Sequence, residues 1–411
     1  MKILVYGAGV LGCNLARNLL RAGKDVTLLA RGNWAAEIKQ NGLRIKDKFS
    51  LRTSVSRIPV VTELAPDAMY DVIFVVLRYT QLDSVLDTLR ANRTKNIVFV
   101  GNNVQARAQA AALPEKNVLF AFALSAGHRE ADRVVSIDLK KITIGQLTGA
   151  TSNKQLIGRI FHGTKYKVVY EPNMEDYLLC HAAFVMPAAF ACYKTDGDLK
   201  KLRGDTAYLN RLLDANIEGY RAIRDAGHTI LPKEDADFEG EKYRKTCLRF
   251  FKLMCVTSLG KLCASDHAMN AIDEMNALNR DLKKFFDANR RSLPGMAGTG
   301  SGSREVSAMK YAGMPFGMWA LFAGSFQKQL IAVLCYDADT AKAIQRFKTA
   351  CGMSGDLSCS LTSFSSERSS AVQRWHQSAG WDVWRCLAGD CSHGASVILG
   401  GTGSAVWHLA Q

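Results

Sequence analysis

The chain has 411 residues and a formal net charge of +15, and this length predicts two or three domains. No apolar run reaches the roughly 18–20 residues of a membrane span, and the first residues lack signal-peptide character, so we expect a cytoplasmic protein with no membrane partner. Basic residues are interspersed with acidic ones, without a basic block interleaved with aromatic residues. This argues against nucleic acid as a partner and favours an anionic cofactor and substrate.

The first predicted element is a short apolar strand that runs directly into Gly7-x-Gly9-x-x-Gly12, followed by an amphipathic helix over 13–22. In this dinucleotide-binding pattern Gly7 permits a tight turn, Gly9 lets the backbone approach a pyrophosphate, and Gly12 lets the helix lie close to the strand. The N–H groups at the helix start then bind the phosphates. The predicted cofactor-binding residues of this turn are Gly7, Ala8, Gly9, Val10, Leu11 and Gly12.

The second predicted strand, 25–29, is followed by Ala30-Arg31-Gly32-Asn33. Folds that prefer NAD place a carboxylate here, which accepts a hydrogen bond from the ribose hydroxyl and would repel a 2′-phosphate. No carboxylate is present, and the Arg31 guanidinium offers a bidentate partner for phosphate. The sequence therefore predicts NADP(H) as cofactor, with a solvated loop arginine as the alternative interpretation.

The pattern continues with a helix over 34–41, a strand over 43–45, a fully apolar strand over 71–77 and a helix over 80–89. A strand over 96–100, the loop Gly101-Asn102-Asn103, a further helix and a strand over 117–122 follow. Continuous apolar runs are typical of buried parallel strands. Alternation of strand and helix through about residue 145 predicts an α/β fold. Its doubly wound, Rossmann-type parallel sheet should carry the cofactor at the carboxyl ends of its strands.

Beyond about residue 176 the periodicity becomes helical, over 177–193, 207–226, 241–259 and 266–289. We therefore predict an NADP-binding Rossmann domain at 1–170 and an all-helical substrate and dimerisation domain at 171–294. Residues 295–411 begin with a Gly/Ser-rich linker and have no assigned fold. An appended module, a disordered extension and an out-of-frame readthrough all remain open for them.

The chain has 11 cysteines, and they lack the paired spacing of a disulfide framework. We expect Cys13, Cys180, Cys192 and Cys247 to be reduced core residues of an intracellular protein. The cluster Cys386, Cys391 and His393 does not have a recognised zinc-ligand spacing, so chance explains it better than zinc and no metal site is predicted.

Several segments taken together resemble the ketopantoate reductase (2-dehydropantoate 2-reductase) family over about residues 1–290. They are 2–12, 25–32, 41–43, 71–81, 101–103, 142–145 and 267–275. The resemblance implies NADPH-dependent reduction of a 2-oxo acid, a role in pantothenate biosynthesis, and substrate held between the sheet domain and the helical domain. It also allows a homodimer.

The resemblance assigns roles to four residues. Arg31 matches the arginine that binds the 2′-phosphate, and Arg78 falls where the family has a lysine on the cofactor side. Asn102 resembles the loop asparagine beside nicotinamide and substrate, and it is thus both a cofactor-binding and a catalytic candidate. Glu218 resembles a glutamate that faces the cleft and is a further catalytic candidate, with a solvated helical glutamate as the alternative.

The family's catalytic lysine and the asparagine one turn later are missing from the corresponding segment, 176–187. Hydride transfer to a carbonyl carbon builds negative charge on oxygen, so an acid or cation is needed near that oxygen. His181 is the best replacement in this segment because an imidazolium can act as a general acid near neutral pH. The alternative is a core histidine, and His128 and His267 are weaker candidates.

Three functions remain open from the sequence. The first is an NADPH-dependent reductase of the ketopantoate reductase type, which acts on a 2-oxo acid or related small carbonyl. The second is a reductase of a different carbonyl or of an imine. The third is a non-catalytic protein that binds or senses NADP(H).

Overall fold

The computed structural model describes residues 1–48, 50–148, 153–257 and 260–291, and residues 1–291 fall within one compact unit. The strands of the described part are β1 Lys2–Tyr6, β2 Asp25–Leu29, β3 Leu43–Asp47, β4 Thr53–Ser56, β5 Val60–Val61, β6 Val72–Val75, β7 Asn96–Val100, β8 Asn117–Arg129, β9 Val134–Gly145 and β10 Lys167–Tyr170. They form one sheet in the order β4-β3-β9-β8-β7-β6-β1-β2-β5, with β10 also beside β9.

The centre of this sheet is parallel and buried. β1 pairs with β2 and β6, β6 with β7, and β7 with β8, all in parallel. All four residues of β6 are buried, as expected for a strand covered on both faces. The surrounding helices are α1 Val10–Arg21, α2 Gly32–Asn41, α3 Leu86–Ala91, α4 Ala106–Ala111 and α5 Lys154–Phe161. The predicted Rossmann-type fold is confirmed.

The structure departs from the predicted alternation at β8. This strand runs seven residues beyond the predicted end at 122, and it pairs in antiparallel fashion with β9. The sheet is therefore mixed rather than wholly parallel. The predicted helix over 80–89 also differs, because two 3-10 turns, Tyr79–Gln81 and Asp83–Val85, precede α3.

A buried polar contact fixes α1 against β9. Arg17 Nη2 lies 3.1 Å from Asp138 Oδ2, and both side chains are almost fully buried. Asn18 donates a second hydrogen bond to the same oxygen at 2.7 Å, and the backbone N–H of Lys140 donates to Oδ1 at 3.1 Å. A buried carboxylate needs such partners, because an unpaired buried charge is strongly destabilising.

The predicted helical region follows the sheet and is confirmed. It consists of α6 Met174–Lys194, α7 Thr206–Asp225, α8 Glu241–Met254, α9 Asp266–Asn270 and α10 Ile272–Arg291. The predicted helix over 266–289 is interrupted at Ala271. Contrary to the sequence-based expectation, α6 is long and apolar enough to cross a membrane, but 78% of its apolar window is buried inside the fold. Its hydropathy is thus accounted for by a core position.

Cys13, Cys180, Cys192 and Cys247 are buried, and none of them forms a disulfide bond with another described residue, as predicted. The predicted linker and extension at 295–411, including Cys386, Cys391 and His393, lie outside the described residues. The boundaries predicted for the three domains remain predictions.

Candidate active site

The glycine turn between β1 and α1 has the geometry that its sequence predicts. Gly7 has φ +121°, and a Cβ there would lie 2.2 Å from the carbonyl oxygen of Val76. A Cβ at Gly12 would lie 1.9 Å from the carbonyl oxygen of Gly7, so only glycine lets α1 approach the strand this closely. A Cβ at Gly9 would meet no atom within 4 Å. The turn is therefore tight on the protein side and open above Gly9.

The open side of this turn carries unpaired backbone donors. Gly9 is the N-cap of α1 and has no side chain to cap the helix, so the first N–H groups of α1, those of Val10, Leu11 and Gly12, lack intrahelical partners. On the protein side, the carbonyl of Ala8 accepts a hydrogen bond from the Trp34 indole at 2.9 Å. This arrangement fits an anion above Gly9, at the positive end of the helix dipole.

Arg31 lies beside the same turn. The backbone N–H of Gly7 donates to the carbonyl of Leu29 at 3.1 Å, and Arg31 is two residues further, at the N-cap of α2. Its side chain is exposed and has no hydrogen bond or ion pair with another described residue. A guanidinium without a partner among these residues is available for an anionic group.

Arg78 and Asn102 follow the next two parallel strands, β6 and β7. Arg78 is exposed and its Nη2 donates to the carbonyl of Asn270 at 2.8 Å. Asn102 Nδ2 lies 3.5 Å from Glu274 Oε1, a long contact. The Oδ1 atom of Asn102 is buried and has no hydrogen-bond partner among the described residues. Since buried acceptors are usually paired, this oxygen is suited to a ligand N–H.

Glu274 was not assigned a role from the sequence, although it lies in one of the segments that resemble the family. It is 4% exposed, and its Oε1 also accepts the backbone N–H of Tyr79 at 3.3 Å. Glu218, for which the resemblance implies a position facing the cleft, is exposed on α7. Its side chain has no hydrogen bond or ion pair with another described residue. The structure thus brings Glu274, rather than Glu218, together with Asn102.

His181 lies in α6, on the side that meets the sheet. Its ring centroid is 3.9 Å from that of Phe122 in β8 and 5.5 Å from that of Phe184. Burial lowers the pKa of His181 from 6.5 to about 3, with a smaller effect from His267. The ring is therefore neutral at pH 7, and the imidazolium expected from the sequence is not its resting state. A neutral imidazole still has one N–H that can donate.

The two weaker catalytic candidates are His128 and His267. His128 Nδ1 is 3.2 Å from Asp266 Oδ2, and its Nε2 is 3.6 Å from Glu130. Asp266 is the first residue of α9, and His267 follows it with an exposed side chain. His128 is therefore held between two carboxylates, whereas His267 is the histidine that influences His181.

Comparison with known proteins agrees with the fold. Residues 3–149 match the family model described as ketopantoate reductase PanE/ApbA. The resemblance seen in the sequence is confirmed. No curated protein matches the chain.

Solved structures share the fold over a longer stretch. The 2-dehydropantoate 2-reductase of Geobacter metallireducens GS-15 is 16% identical with a TM-score of 0.59, covering 70% of this chain and 94% of its own. The enzyme of Porphyromonas gingivalis W83 is 18% identical with a TM-score of 0.52, covering 71% and 98%. D-mandelate dehydrogenase in complex with NADH is 14% identical with a TM-score of 0.56, covering 70% and 92%. At these identities the likeness shows the ketopantoate reductase fold.

Proposed function

We propose that this protein is an NADPH-dependent reductase of a 2-oxo acid or a related small carbonyl compound. One observation carries the proposal. The glycine turn, Arg31, Arg78 and Asn102 follow β1, β2, β6 and β7, which are adjacent parallel strands. Their carboxyl ends share one edge of the sheet, where α/β proteins bind dinucleotides. The family match over residues 3–149 supports the same reaction class.

The residues present fit a dinucleotide. The open space above Gly9 admits a pyrophosphate to the first N–H groups of α1, and Arg31 has no competing partner in the described part of the chain. We assign the 2′-phosphate to Arg31, which makes NADPH the preferred cofactor over NADH. Arg78 adds a second cation on the cofactor side. The Oδ1 atom of Asn102, which has no partner within the described residues, is an acceptor for an amide N–H of the ligand.

When bound, the dihydronicotinamide supplies the hydride, and the residues of this chain orient the carbonyl and stabilise its oxygen. Glu274 accepts from Asn102 Nδ2 and holds the amide in one orientation. His181 is neutral at pH 7, so we assign it the role of a hydrogen-bond donor to the developing oxyanion. A preorganised neutral donor in a water-poor site stabilises such charge effectively.

The alternative of a non-catalytic NADP(H)-binding or sensor protein is favoured by one observation. The cationic lysine of the family is absent from 176–187, and its proposed replacement is uncharged at pH 7. A site without any cation or acid at the carbonyl oxygen would bind the cofactor without turnover. A reductase of another carbonyl or of an imine is the third option.

One experiment separates these functions. Calorimetry on the full chain with NADPH and with NADH measures cofactor choice, and NADPH oxidation is then followed with ketopantoate, other 2-oxo acids, simple carbonyls and cyclic imines. We expect tighter binding of NADPH and turnover with a 2-oxo acid. Turnover with ketopantoate would support a role in pantothenate biosynthesis. Binding without any turnover would replace the proposal by the sensor function, and absence of cofactor binding would refute both.

We further propose that the protein is cytoplasmic and forms a homodimer through its helical region. The buried position of α6 supports a location without a membrane. Sedimentation of the purified chain tests the dimer, and a monomer across the micromolar range would contradict it.

A further inference from the structure

Two acidic residues of α10 contact the same tyrosine on the sheet side. Glu274 and Asp281 are seven residues apart, or two helical turns, and thus lie on one face of α10. Tyr79 donates its backbone N–H to Glu274 at 3.3 Å and its hydroxyl to Asp281 Oδ2 at 2.9 Å. Tyr79 is 6% exposed. It therefore lies along this face of α10 and is fixed at both ends.

The same Asp281 oxygen also binds the neighbouring loop. Gln105 Nε2 donates to Asp281 Oδ2 at 3.1 Å. Tyr79 directly follows Arg78, whereas Gln105 is three residues beyond Asn102. One carboxylate oxygen thus joins the loop after β6 to the loop after β7, and both to α10.

The ionisation states of Asp281 and Tyr79 favour a strong hydrogen bond between them. Burial acts to raise the pKa of Asp281, but hydrogen bonds from Lys284 and Tyr79 outweigh it and the pKa is lowered. Burial and the bond to Asp281 raise the pKa of Tyr79. At neutral pH the carboxylate is therefore ionised and the phenol protonated, which is the combination that forms a strong charge-assisted hydrogen bond.

We propose that Asp281 is a positioning residue, which holds Arg78 and Asn102 in register with each other and with α10 through Tyr79 and Gln105. The inference rests on the proposed reductase function and adds to it a residue that touches neither reacting atom. Small misplacements of orienting groups are costly in enzymes, so loss of this contact is expected to reduce the rate of hydride transfer more than the stability of the fold.

The test uses Tyr79→Phe, Asp281→Asn and the double variant in the full chain. Asp287→Asn is the matched control, because Asp287 is an exposed aspartate of the same helix. For each protein we would measure kcat, KM for the 2-oxo acid, Kd for NADPH and the thermal unfolding midpoint. Amide hydrogen exchange over 78–82 and 102–106, without any ligand, gives a readout that does not depend on activity.

We expect each single variant to lower kcat by about tenfold, the loss of one charge-assisted contact, while KM changes less than threefold. The double variant should be no slower than Asp281→Asn alone, because Tyr79→Phe removes one of the two contacts that Asp281→Asn weakens. Exchange should rise in both loops in Asp281→Asn and over 78–82 in Tyr79→Phe, which leaves Gln105 bonded to Asp281. Asp287→Asn should behave as wild type. Wild-type kcat in the single variants, or losses that multiply in the double variant, would overturn the positioning role.

Failure of the proposed function gives a different result. In that case the wild-type protein itself would turn over no substrate, while exchange would still rise over 78–82 in both single variants and over 102–106 in Asp281→Asn. Unchanged exchange in an active protein would instead overturn the inference alone.

Discussion

Replacement of Gly9 by alanine should separate cofactor binding from folding. Gly9 has φ −78° and ψ −171°, an extended conformation that alanine adopts readily, and its added methyl group would meet no atom within 4 Å. Alanine is a poorer N-cap than glycine. Because it restricts the unfolded chain, however, it stabilises the folded protein by about 0.4–1 kcal/mol. These effects oppose each other, so we expect the free energy of unfolding to change by less than about 1 kcal/mol.

The same methyl group would occupy the space assigned to the pyrophosphate. Loss of one hydrogen bond from a backbone N–H to a charged phosphate costs about 1.5–3 kcal/mol. This corresponds to a Kd for NADPH that rises about 10- to 150-fold. Titration calorimetry gives the Kd, and urea denaturation followed by circular dichroism gives the free energy of unfolding.

Gly12→Ala is the matched control within the same turn. Its Cβ would lie 1.9 Å from the carbonyl oxygen of Gly7, so the backbone must move and the protein should lose about 1–3 kcal/mol or more of stability. If Gly9→Ala binds NADPH with wild-type affinity, no phosphate lies above this residue and the assigned site is wrong.

Arg31→Ala should weaken the binding of NADPH about tenfold more than the binding of NADH, since only NADPH has the 2′-phosphate. Equal losses of affinity for both cofactors, or the same effect from the exposed control Arg93→Ala, would contradict the assigned contact between Arg31 and the phosphate. His181→Ala should lower kcat about 10²- to 10⁴-fold with NADPH affinity unchanged, and full activity would remove His181 from the mechanism. Because burial holds the pKa of His181 near 3 against 6.5 when exposed, unfolding below pH 6.5 takes up a proton. His181 should therefore lower the free energy of unfolding of the wild type as pH falls from 6.5 towards 3. Urea denaturation at several pH values should show that His181→Phe lacks this decrease. Arg17→Met leaves Asp138 buried without its ion-pair partner, and it should cost about 3–5 kcal/mol of stability; a loss below 1 kcal/mol in the same urea assay would show that Asn18 and Lys140 suffice.

The features that could be predicted from the sequence depend on neighbours along the chain. The glycine turn is one strand, one turn and one helix, and the close approach of Gly12 to Gly7 joins residues of the same short segment. Arg31 could be placed because β2 lies directly beside β1. The burial of the four cysteines followed from apolar surroundings in the sequence.

The features that could not be predicted depend on distant contacts. Glu274 meets Asn102 across 172 positions, and helical periodicity alone does not distinguish it from Glu218. The state of His181 is set by burial against Phe122, so its residue type suggested an imidazolium that its environment disfavours. The extension of β8 was missed because its last residues are mostly small or polar, and only pairing with β9 makes them a strand.

The two halves of β9 pair with different strands. Val134–Ser136 run beside β3, whereas Lys141–Ile144 run beside β10. The irregularity in its pairing with β8, opposite Ala123 and Ser125, falls between these halves, and Lys140 has a positive φ of 49° there. Bulges absorb a change of register locally. A residue inserted into the tip at 130–133 would therefore leave the β10 half aligned, because the bulge separates that half from the residues beside β3.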